Sequence, residues 1–400
     1  MGKALLIGGN NASVASGSET NFFGALSNST ESNCQYSATE GADFTGLGVR
    51  IASGGSGSNT VQFRKNGANG QNVVSRTGAG TAEDTTHTDT LSAGDLFNLA
   101  MTDTGTTPNF RWFRANVQFA SGHGCFHAAA SVATCDVPSS TRYLPISGTL
   151  VADGQATIAN VQWKNRGYTS LEAFQIFVNS NLRLNDSVFS VNINGVDVGT
   201  PITFGAGATG LQTVTGMGIS LADGDLICIS MTLGAGLEDL VLFRTGATLK
   251  STNNNSDAVC GSAFGSSITA SGTPTYVTAA GSLLNLSDEA NQRVKVGFAA
   301  RIKNLRCYLS ANTYSANATL KLMVNGSAVI TTTITASGGA GWYENSSDYY
   351  DIDDNDEISY EIVGGTSGSI TVHSIGVTFA EIPASGPVQK GSHSLLGVGA

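Results

Sequence analysis

The sequence predicts an all-β protein made of three tandem antiparallel β-sandwich domains with short terminal arms. Three observations predict this fold: the composition, a set of turn motifs that occurs three times, and the alternation of apolar residues around those motifs. Glycine contributes 50 of 400 residues and charged residues only 12%, which is typical of short strands joined by tight turns. Hydrophobic residues make up 40% of the chain, so we expect a buried core.

The first repeated motif is an Asn-Gly pair between alternating apolar residues. It occurs at Asn66, Asn194 and Asn325, each followed by glycine. Asn-Gly in this setting is a strong signal for a two-residue β-hairpin, because a type I′ turn needs positive φ at both central residues. The sequence therefore predicts one such hairpin in each third of the chain.

The second repeated motif is a turn that contains an aspartate. It reads "LSAGDLF", "LADGDLI" and "YDIDDNDEISY", with Asp95, Asp225 and Asp356 at the shared position. Apolar residues at matching offsets are expected to fill the cores of three copies: Tyr36, Leu47, Leu91, Phe97 and Leu99; Trp163, Phe174, Leu221, Ile227 and Ile229; Val294, Leu305, Ile352, Ile358 and Tyr360.

The order of these motifs divides the chain into domains. We expect sandwiches at 21–122, 137–250 and 268–383, an N-terminal arm at 1–20 and a C-terminal arm at 384–400. The last strand of each copy returns far in sequence from its partner, as jelly-roll topologies require. The intervening stretches "ASGHGCFHAAASVATCDVPSST" and "STNNNSDAVCGSAFGSSITASG" are rich in small and polar residues, and we interpret them as linkers.

Charge and hydropathy exclude some partners. The net charge is −10 with only 20 lysines and arginines, and no basic cluster occurs, which argues against nucleic acid. No apolar run is long enough for a membrane span or a secretion signal. A protein that works outside the cell but is made in the host cytoplasm without a signal peptide fits the surface of a virus particle. A secreted protein carrying an added Met fits the same pattern.

The acidic stretch of the third copy suggests two interpretations. Asp351, Asp353 and Asp354 could form a weak calcium site, because clustered carboxylates bind this ion. An EF-hand is excluded, since Asp356 stands where glycine is needed and Ile362 where glutamate is needed. The other interpretation is a solvated turn whose charges discourage pairing of sheet edges.

Histidine and cysteine offer a second metal candidate. His123, Cys125 and His127 would share one face of a strand, as a zinc site needs, and Cys125 could instead pair with Cys135 in an oxidising medium. Ordinary buried thiols are the third interpretation. Nucleophile motifs such as G-x-S-x-G are absent from the sequence, and we do not expect an enzyme.

An aromatic stretch is the candidate glycan contact. Trp342, Tyr343, Tyr349 and Tyr350 lie in "GWYENSSDYYD" beside acids that could accept hydrogen bonds from sugar hydroxyls. Exposed rings stack on flat ligands, but aromatic residues also fill interfaces and cores.

The repeated Asn-Gly hairpin, the repeated aspartate turn and the flanking arms resemble those of jelly-roll virion proteins of tailed phages. The similarity is to capsid cement or decoration proteins and to tandem β-sandwich appendages. It implies a non-enzymatic part, often a homotrimer, that binds the major capsid protein or another virion protein.

Docking would then use the arms, by strand addition and apolar anchoring. The expected anchors are Leu5, Leu6, Ile7, Leu395 and Leu396. Two other functions remain open: a glycan-binding adhesin of a virus or bacterial surface that contacts host glycans, and an extracellular filament subunit whose arms donate strands.

Overall fold

The computed structural model describes residues 4–8, 12–13, 19–23, 26–53, 57–105, 109–120, 122–137, 140–236, 238–269, 272–279, 281–282 and 285–383. The secondary structure of this part consists of β-strands and three short 3-10 helices, and the strands form six sheets. The all-β prediction is confirmed. No helix in the described ranges is long and apolar enough to cross a membrane.

Domain 1 extends from the first to the eleventh strand. Its elements are β1 (Ala4–Gly8), β2 (Ala12–Ser13), β3 (Glu19–Phe23), β4 (Leu26–Asn28), η1 (Glu31–Asn33), β5 (Tyr36–Ser37), β6 (Ala42–Ser53), β7 (Ser58–Lys65), β8 (Ala68–Thr77), β9 (Gly80–Leu91), β10 (Leu96–Asp103) and β11 (Asn109–Phe119). One sheet has the order β1-β11-β6-β9 and the other the order β4-β3-β10-β7-β8.

Domain 2 follows after a short connection. Its elements are β12 (His123–Cys135), β13 (Thr141–Leu144), η2 (Ile158–Asn160), β14 (Trp163–Lys164), β15 (Ser170–Asn181), β16 (Ser187–Ile193), β17 (Val196–Phe204), β18 (Gly210–Ser220), β19 (Leu226–Thr232) and β20 (Leu240–Ser251). The sheets have the orders β12-β20-β15-β18 and β13-β19-β16-β17.

Domain 3 repeats the pattern. Its elements are β21 (Ser256–Thr269), β22 (Thr275–Thr278), β23 (Gly281–Ser282), β24 (Asn285–Leu286), η3 (Glu289–Asn291), β25 (Val294–Lys295), β26 (Ala300–Asn312), β27 (Ala318–Val324), β28 (Ser327–Ile334), β29 (Gly341–Ile352), β30 (Glu357–Gly364) and β31 (Ser369–Ala380). The sheets have the orders β23-β21-β31-β26-β29 and β24-β22-β30-β27-β28.

These strand orders are those of a jelly roll. In domain 2, leaving aside the two-residue strand β14, the first sheet holds the first, eighth, third and sixth strands in that spatial order. The second sheet holds the second, seventh, fourth and fifth, which is the double Greek key of a jelly roll. Domains 1 and 3 follow the same path. Below, "first sheet" means the sheet that contains the first strand of each domain, which is β1 in domain 1, β12 in domain 2 and β21 in domain 3.

The two repeated turn motifs are joined by side-chain hydrogen bonds. The Nδ2 atoms of Asn66, Asn194 and Asn325 donate to Oδ1 of the aspartate in the same domain at 2.7, 2.8 and 2.6 Å. The three asparagines have φ of 51°, 53° and 50°, as the predicted hairpin turn requires. The asparagine–aspartate pair therefore fixes the hairpin against the neighbouring strand, which explains why the two motifs recur together.

The structure corrects the expected linkers. Segment 123–135 is β12 and segment 256–269 is β21, the opening strands of domains 2 and 3. Strand β12 lacks clean alternation because both of its faces are buried along most of its length. On β12, Cys125 belongs to the core of domain 2, whereas Phe126 belongs to an apolar cluster shared with domain 1.

The N-terminal arm is corrected in the same way. The backbone of Ala4–Gly8 pairs with β11 in antiparallel register, from Ala4 opposite Val117 to Gly8 opposite Phe113. This segment is the first strand of domain 1, so it supplies the edge of a sheet rather than a free arm.

Candidate functional site

The candidate functional site is the set of contacts that joins the three domains. In each domain the short segment after the 3-10 helix lies on the outer face of the first sheet of another domain. Domain 1 contacts domain 2 in this way, domain 2 contacts domain 3, and domain 3 contacts domain 1. Head-to-tail contacts of one kind that return to their start form a ring. The chain is therefore a closed ring of three jelly rolls.

The interface between domains 2 and 3 is ionic. Glu344 on β29 accepts hydrogen bonds from Arg166 Nε and Nη2, both at 2.6 Å, and from Lys164 Nζ at 2.8 Å. Burial alone would raise the pKa of Glu344, but the hydrogen bonds from Arg166 and Lys164 outweigh it and hold the pKa below its usual value. Arg306 Nε donates across the interface to the Lys164 carbonyl at 3.1 Å.

The interface between domains 3 and 1 repeats this chemistry. Glu83 on β9 pairs with Lys295 of domain 3 at 2.7 Å and with the fully buried Arg114 at 2.6 Å. Asn116 Nδ2 donates to the Gly297 carbonyl at 3.1 Å. A Cβ atom on Gly297 would stand 2.6 Å from Arg114 Nη1, so glycine is needed for this close approach.

The interface between domains 1 and 2 relies more on neutral polar and aromatic contacts. Gln175 of domain 2 bonds both backbone groups of Ser37, donating to its oxygen at 3.0 Å and accepting from its nitrogen at 3.2 Å. Phe126 packs against the rings of Tyr36 and Phe97 of domain 1, with centroids 5.7 and 5.5 Å away. Lys250 of domain 2 also forms an ion pair with Glu40 of domain 1, so this interface combines aromatic packing with an ion pair at a different position from those of the other two.

The residues at matching positions change together. Lys164 faces Glu344 and Lys295 faces Glu83. In the interface between domains 1 and 2, Ser37 stands at the position that lysine has in the other two. Thr213 stands at the position that the glutamates have on the first sheet. A buried glutamate without its lysine would be costly, so the paired change indicates that all three contacts are specific.

A buried polar network extends the interface of domains 2 and 3. The Tyr168 hydroxyl is hydrogen-bonded to His127 Nε2 at 2.9 Å and accepts from the Asp257 backbone nitrogen at 3.1 Å. Asp257 pairs with Arg306 at 2.9 Å, and both side chains are nearly inaccessible to solvent, at 0% and 1% exposure. Burial raises the pKa of Asp257, and the Arg306 guanidinium opposes that rise.

His127 makes the fold sensitive to pH. Burial lowers the pKa of His127 from 6.5 to about 4, so the folded chain keeps the ring neutral while the unfolded chain binds a proton below pH 6.5. Stability is fully present above that pH and falls as the pH drops toward 4. We expect a loss of about 2 kcal/mol between pH 7 and pH 5.

Urea unfolding at pH 7, 6 and 5 measures this loss. The variant His127→Gln should show a flatter dependence on pH than the parent. A pH dependence unchanged by His127→Gln would contradict the assignment.

The acidic stretch of domain 3 is divided among separate contacts. Asp351 accepts two hydrogen bonds from Arg301, at 2.7 and 2.9 Å. Asp356 accepts from Asn325 Nδ2 at 2.6 Å and from the Asp353 nitrogen at 2.8 Å. Within the described ranges no three His, Cys, Asp or Glu side chains gather into a group that could hold a metal, and Asp351, Asp353 and Asp354 lie in those ranges.

Two aspartates of this turn should therefore differ in their effect on stability. Asp356→Ala removes two hydrogen bonds and should lower the free energy of unfolding by about 1–2 kcal/mol. Asp353→Ala, at an exposed side chain in the same turn, should change it by less than about 0.5 kcal/mol. Urea unfolding of both variants measures the difference, and equal losses would contradict the role of the asparagine–aspartate pair.

The four aromatic residues proposed for glycan contact do not form one surface. Trp342 packs against Tyr308 with ring centroids 5.5 Å apart and lies under Lys164 of domain 2. Tyr343 and Tyr350 pack against the core of domain 3. Tyr349 is 38% exposed, and the Arg301 guanidinium stacks on it at 3.9 Å. Glycan contact stays a prediction, and Tyr349 is the most exposed of the four rings.

The proposed anchors differ in their placement. The backbone of Leu5, Leu6 and Ile7 lies in β1, opposite Asn116, Ala115 and Arg114. Leu395 and Leu396 lie outside the described residues. As anchors, all five stay a prediction.

His123, Cys125 and His127 lie on one strand, β12, but they are not part of a group that could hold a metal within the described residues. His127 is buried beside Tyr168, and Cys125 and Cys135 are buried thiols near opposite ends of β12. A strand rises by about 3.3 Å per residue, so the two sulfurs are much too far apart for a disulfide.

Sequence reasoning missed the residues of the three interfaces. Lys164, Lys295, Glu83 and Glu344 carry no local motif, since each lies in an ordinary strand. The signal that could have found them is the paired substitution between copies, lysine with glutamate in two of them and serine with threonine in the third.

No family model matches the chain, and no curated protein matches it. Among solved structures, one of the Sulfolobus turreted icosahedral virus aligns with a TM-score of 0.21 and 16% identity, covering 86% of this chain and 82% of that one. One described as the triple jelly roll fold and turret assembly in an archaeal virus aligns with a TM-score of 0.21 and 13% identity, over 94% and 91%. A Paenibacillus xanthan lyase aligns with a TM-score of 0.19 and 10% identity, over 84% and 51%. None of these similarities identifies a function for this chain.

Proposed function

We propose that the chain is a non-enzymatic structural component of a virus particle, in which the ring of three jelly rolls acts as one preassembled building block at the particle surface. The observation that carries this proposal is the closure of the ring. Each first sheet is covered by another domain of the same chain through ionic or aromatic contacts.

A closed ring suits a structural role for a physical reason. Three separate jelly rolls that associate head to tail must lose translational and rotational freedom, whereas covalent connection removes most of that cost. The outward faces of such a ring are fixed relative to one another, so many weak contacts with a shell can form together. The threefold arrangement expected of a homotrimer is thus supplied within one chain, and we propose that the chain acts as a pseudo-trimer.

The finer proposal is that the chain decorates or cements a capsid through its C-terminal segment. Because β1 is part of domain 1, the N-terminal residues already have a partner within the chain. Segment 384–400 follows the last strand of domain 3, and it contains Leu395 and Leu396, which we propose as the anchor to the major capsid protein or another virion protein.

Co-sedimentation with virus particles depleted of the chain tests both the role in the virus particle and the proposed C-terminal anchor. The intact chain should bind particles, and a variant that lacks 384–400 should bind at least about tenfold more weakly while it melts at the same temperature. Unchanged binding of the shortened variant would contradict the anchor alone. Failure of the intact chain to bind or to co-purify with particles would contradict the virion role.

A further inference from the structure

Two arginines of domain 1 are brought together at its interface with domain 3. In the pairing of β11 with β6, Phe110 lies opposite Ile51 and Trp112 opposite Arg50, which leaves Arg111 without a residue opposite it. This bulge places Arg111 beside Arg50, and the two guanidinium groups repel each other. A like charge nearby disfavours the charged form of each guanidinium, and an anion bound between them would relieve that repulsion.

The nitrogen atoms of these arginines are incompletely bonded. Arg111 Nε and Nη1 and Arg50 Nε are buried and have no hydrogen-bond partner. The other nitrogens of Arg50 donate to Thr81 Oγ1 at 3.3 Å and to Asn291 Oδ1 of domain 3 at 3.1 Å. A buried donor without an acceptor destabilises the fold, so an acceptor at this place would be stabilising.

The nearby carboxylate does not supply that acceptor. Asp288 acts electrostatically on Arg111, but its oxygens accept from the Ala290 nitrogen at 3.0 Å and from Asn291 Nδ2 at 2.6 Å. It forms no ion pair with Arg111 or Arg50 in the described part of the chain. Arg50 and Arg111 carry two positive charges, and the Asp288 carboxylate, which is already hydrogen-bonded to other groups, offsets only one of them. This part of the interface is therefore positively charged.

We propose that Arg50 and Arg111 form a binding site for an oxyanion, a carboxylate or a phosphate, at the interface that closes the ring. The guanidinium group presents its donors in a planar fork that matches such oxygens. Both arginines are partly exposed, so a small anion can enter. Because Arg50 also holds Asn291 of domain 3, a bound anion strengthens the contact between domains 3 and 1.

Thermal unfolding and calorimetric titration of the whole chain test the site, with inorganic phosphate and acetate compared against chloride at equal ionic strength. We expect phosphate, acetate or both to bind and to raise Tm. The variant Arg111→Gln should bind about tenfold more weakly. In chloride alone it should be at least as stable as the parent, because it removes buried donors that lack partners. A purely structural arginine would instead lose stability on the same change.

Two further variants complete the test. Arg76→Gln, at an arginine of β8 whose guanidinium donates to the Ala79 carbonyl, should leave anion binding unchanged. Arg111→Lys keeps the charge without the fork and should bind with intermediate strength. The proposal is overturned if phosphate and acetate act no more strongly than chloride, or if Arg111→Gln binds as the parent does.

Discussion

Replacing Arg306 with alanine is expected to lower the free energy of unfolding by about 3–5 kcal/mol, because it leaves a buried carboxylate without its counter-charge. Arg306 pairs with Asp257 at 2.9 Å, and neither side chain is more than 1% exposed. The same guanidinium donates to the Lys164 carbonyl of domain 2 at 3.1 Å. The variant should therefore also loosen the contact between domains 2 and 3.

Urea unfolding with Arg301→Ala as the control measures this effect. Arg301 also forms a bidentate pair, with Asp351, but its side chain is 21% exposed, so its loss should cost less than about 1 kcal/mol. The double variant Asp257→Asn/Arg306→Met should recover part of the stability, since no unpaired charge remains buried. Equal losses in the free energy of unfolding for Arg306→Ala and Arg301→Ala would show that the buried pair contributes no more to stability than the partly exposed one.

The second large effect is expected from Gly246→Val at the interface of domains 1 and 2. A Cβ atom at Gly246 would stand 2.6 Å from Tyr36 Cε2. The Tyr36 ring cannot move away, because it is buried against Phe97 and Phe126, and its hydroxyl donates to the Ala247 carbonyl at 3.3 Å. Overpacking and a lost hydrogen bond should together cost about 3 kcal/mol.

Thermal unfolding and limited proteolysis of this variant distinguish an opened interface from general damage. Cleavage should become faster at the short connection between Phe119 and His123. Gly205→Val is the matched control, since the only atom near a Cβ there is Asp186 Oδ1 at 3.7 Å. If Gly246→Val has the same Tm as Gly205→Val and resists protease as the parent does, Tyr36 does not hold the two domains together.

Local chemistry explains which parts of the fold could be predicted. Asn66, Asn194 and Asn325 adopt the positive φ that an Asn-Gly hairpin needs, and no tertiary contact is required to recognise that signal. The apolar residues around Asp95, Asp225 and Asp356 alternate because each lies in a strand with one face toward its own core. Turn motifs and alternation therefore revealed three β-sandwich copies.

The opening strand of domain 2 escaped prediction because it faces two cores. On β12, Ala129 contributes to the core of domain 2 and Ala130 to the cluster shared with domain 1. A strand buried on both faces shows small and apolar residues without alternation, and in isolation such a run is indistinguishable from a flexible linker. Only the presence of the neighbouring domain identifies it.

Ring closure could not be read from the sequence for a related reason. The contacts of Lys295 with Glu83 and of Arg50 with Asn291 join residues more than two hundred positions apart, with separations of 212 and 241. No periodic pattern encodes such pairings, because Lys295, Glu83 and Arg50 lie in strands and Asn291 in a 3-10 helix, and the local structure of each is explained by its own domain.

The most direct test of the closed ring is zero-length carbodiimide cross-linking of the purified monomer, which joins a lysine to a carboxylate only where the two are in contact. Digestion and mass spectrometry should find amide links between Lys164 and Glu344 and between Lys295 and Glu83, which lie 2.8 and 2.7 Å apart. The second link joins domain 3 to domain 1. Recovery of the Lys164–Glu344 link without the Lys295–Glu83 link in the monomer would show an open chain of domains and contradict the ring.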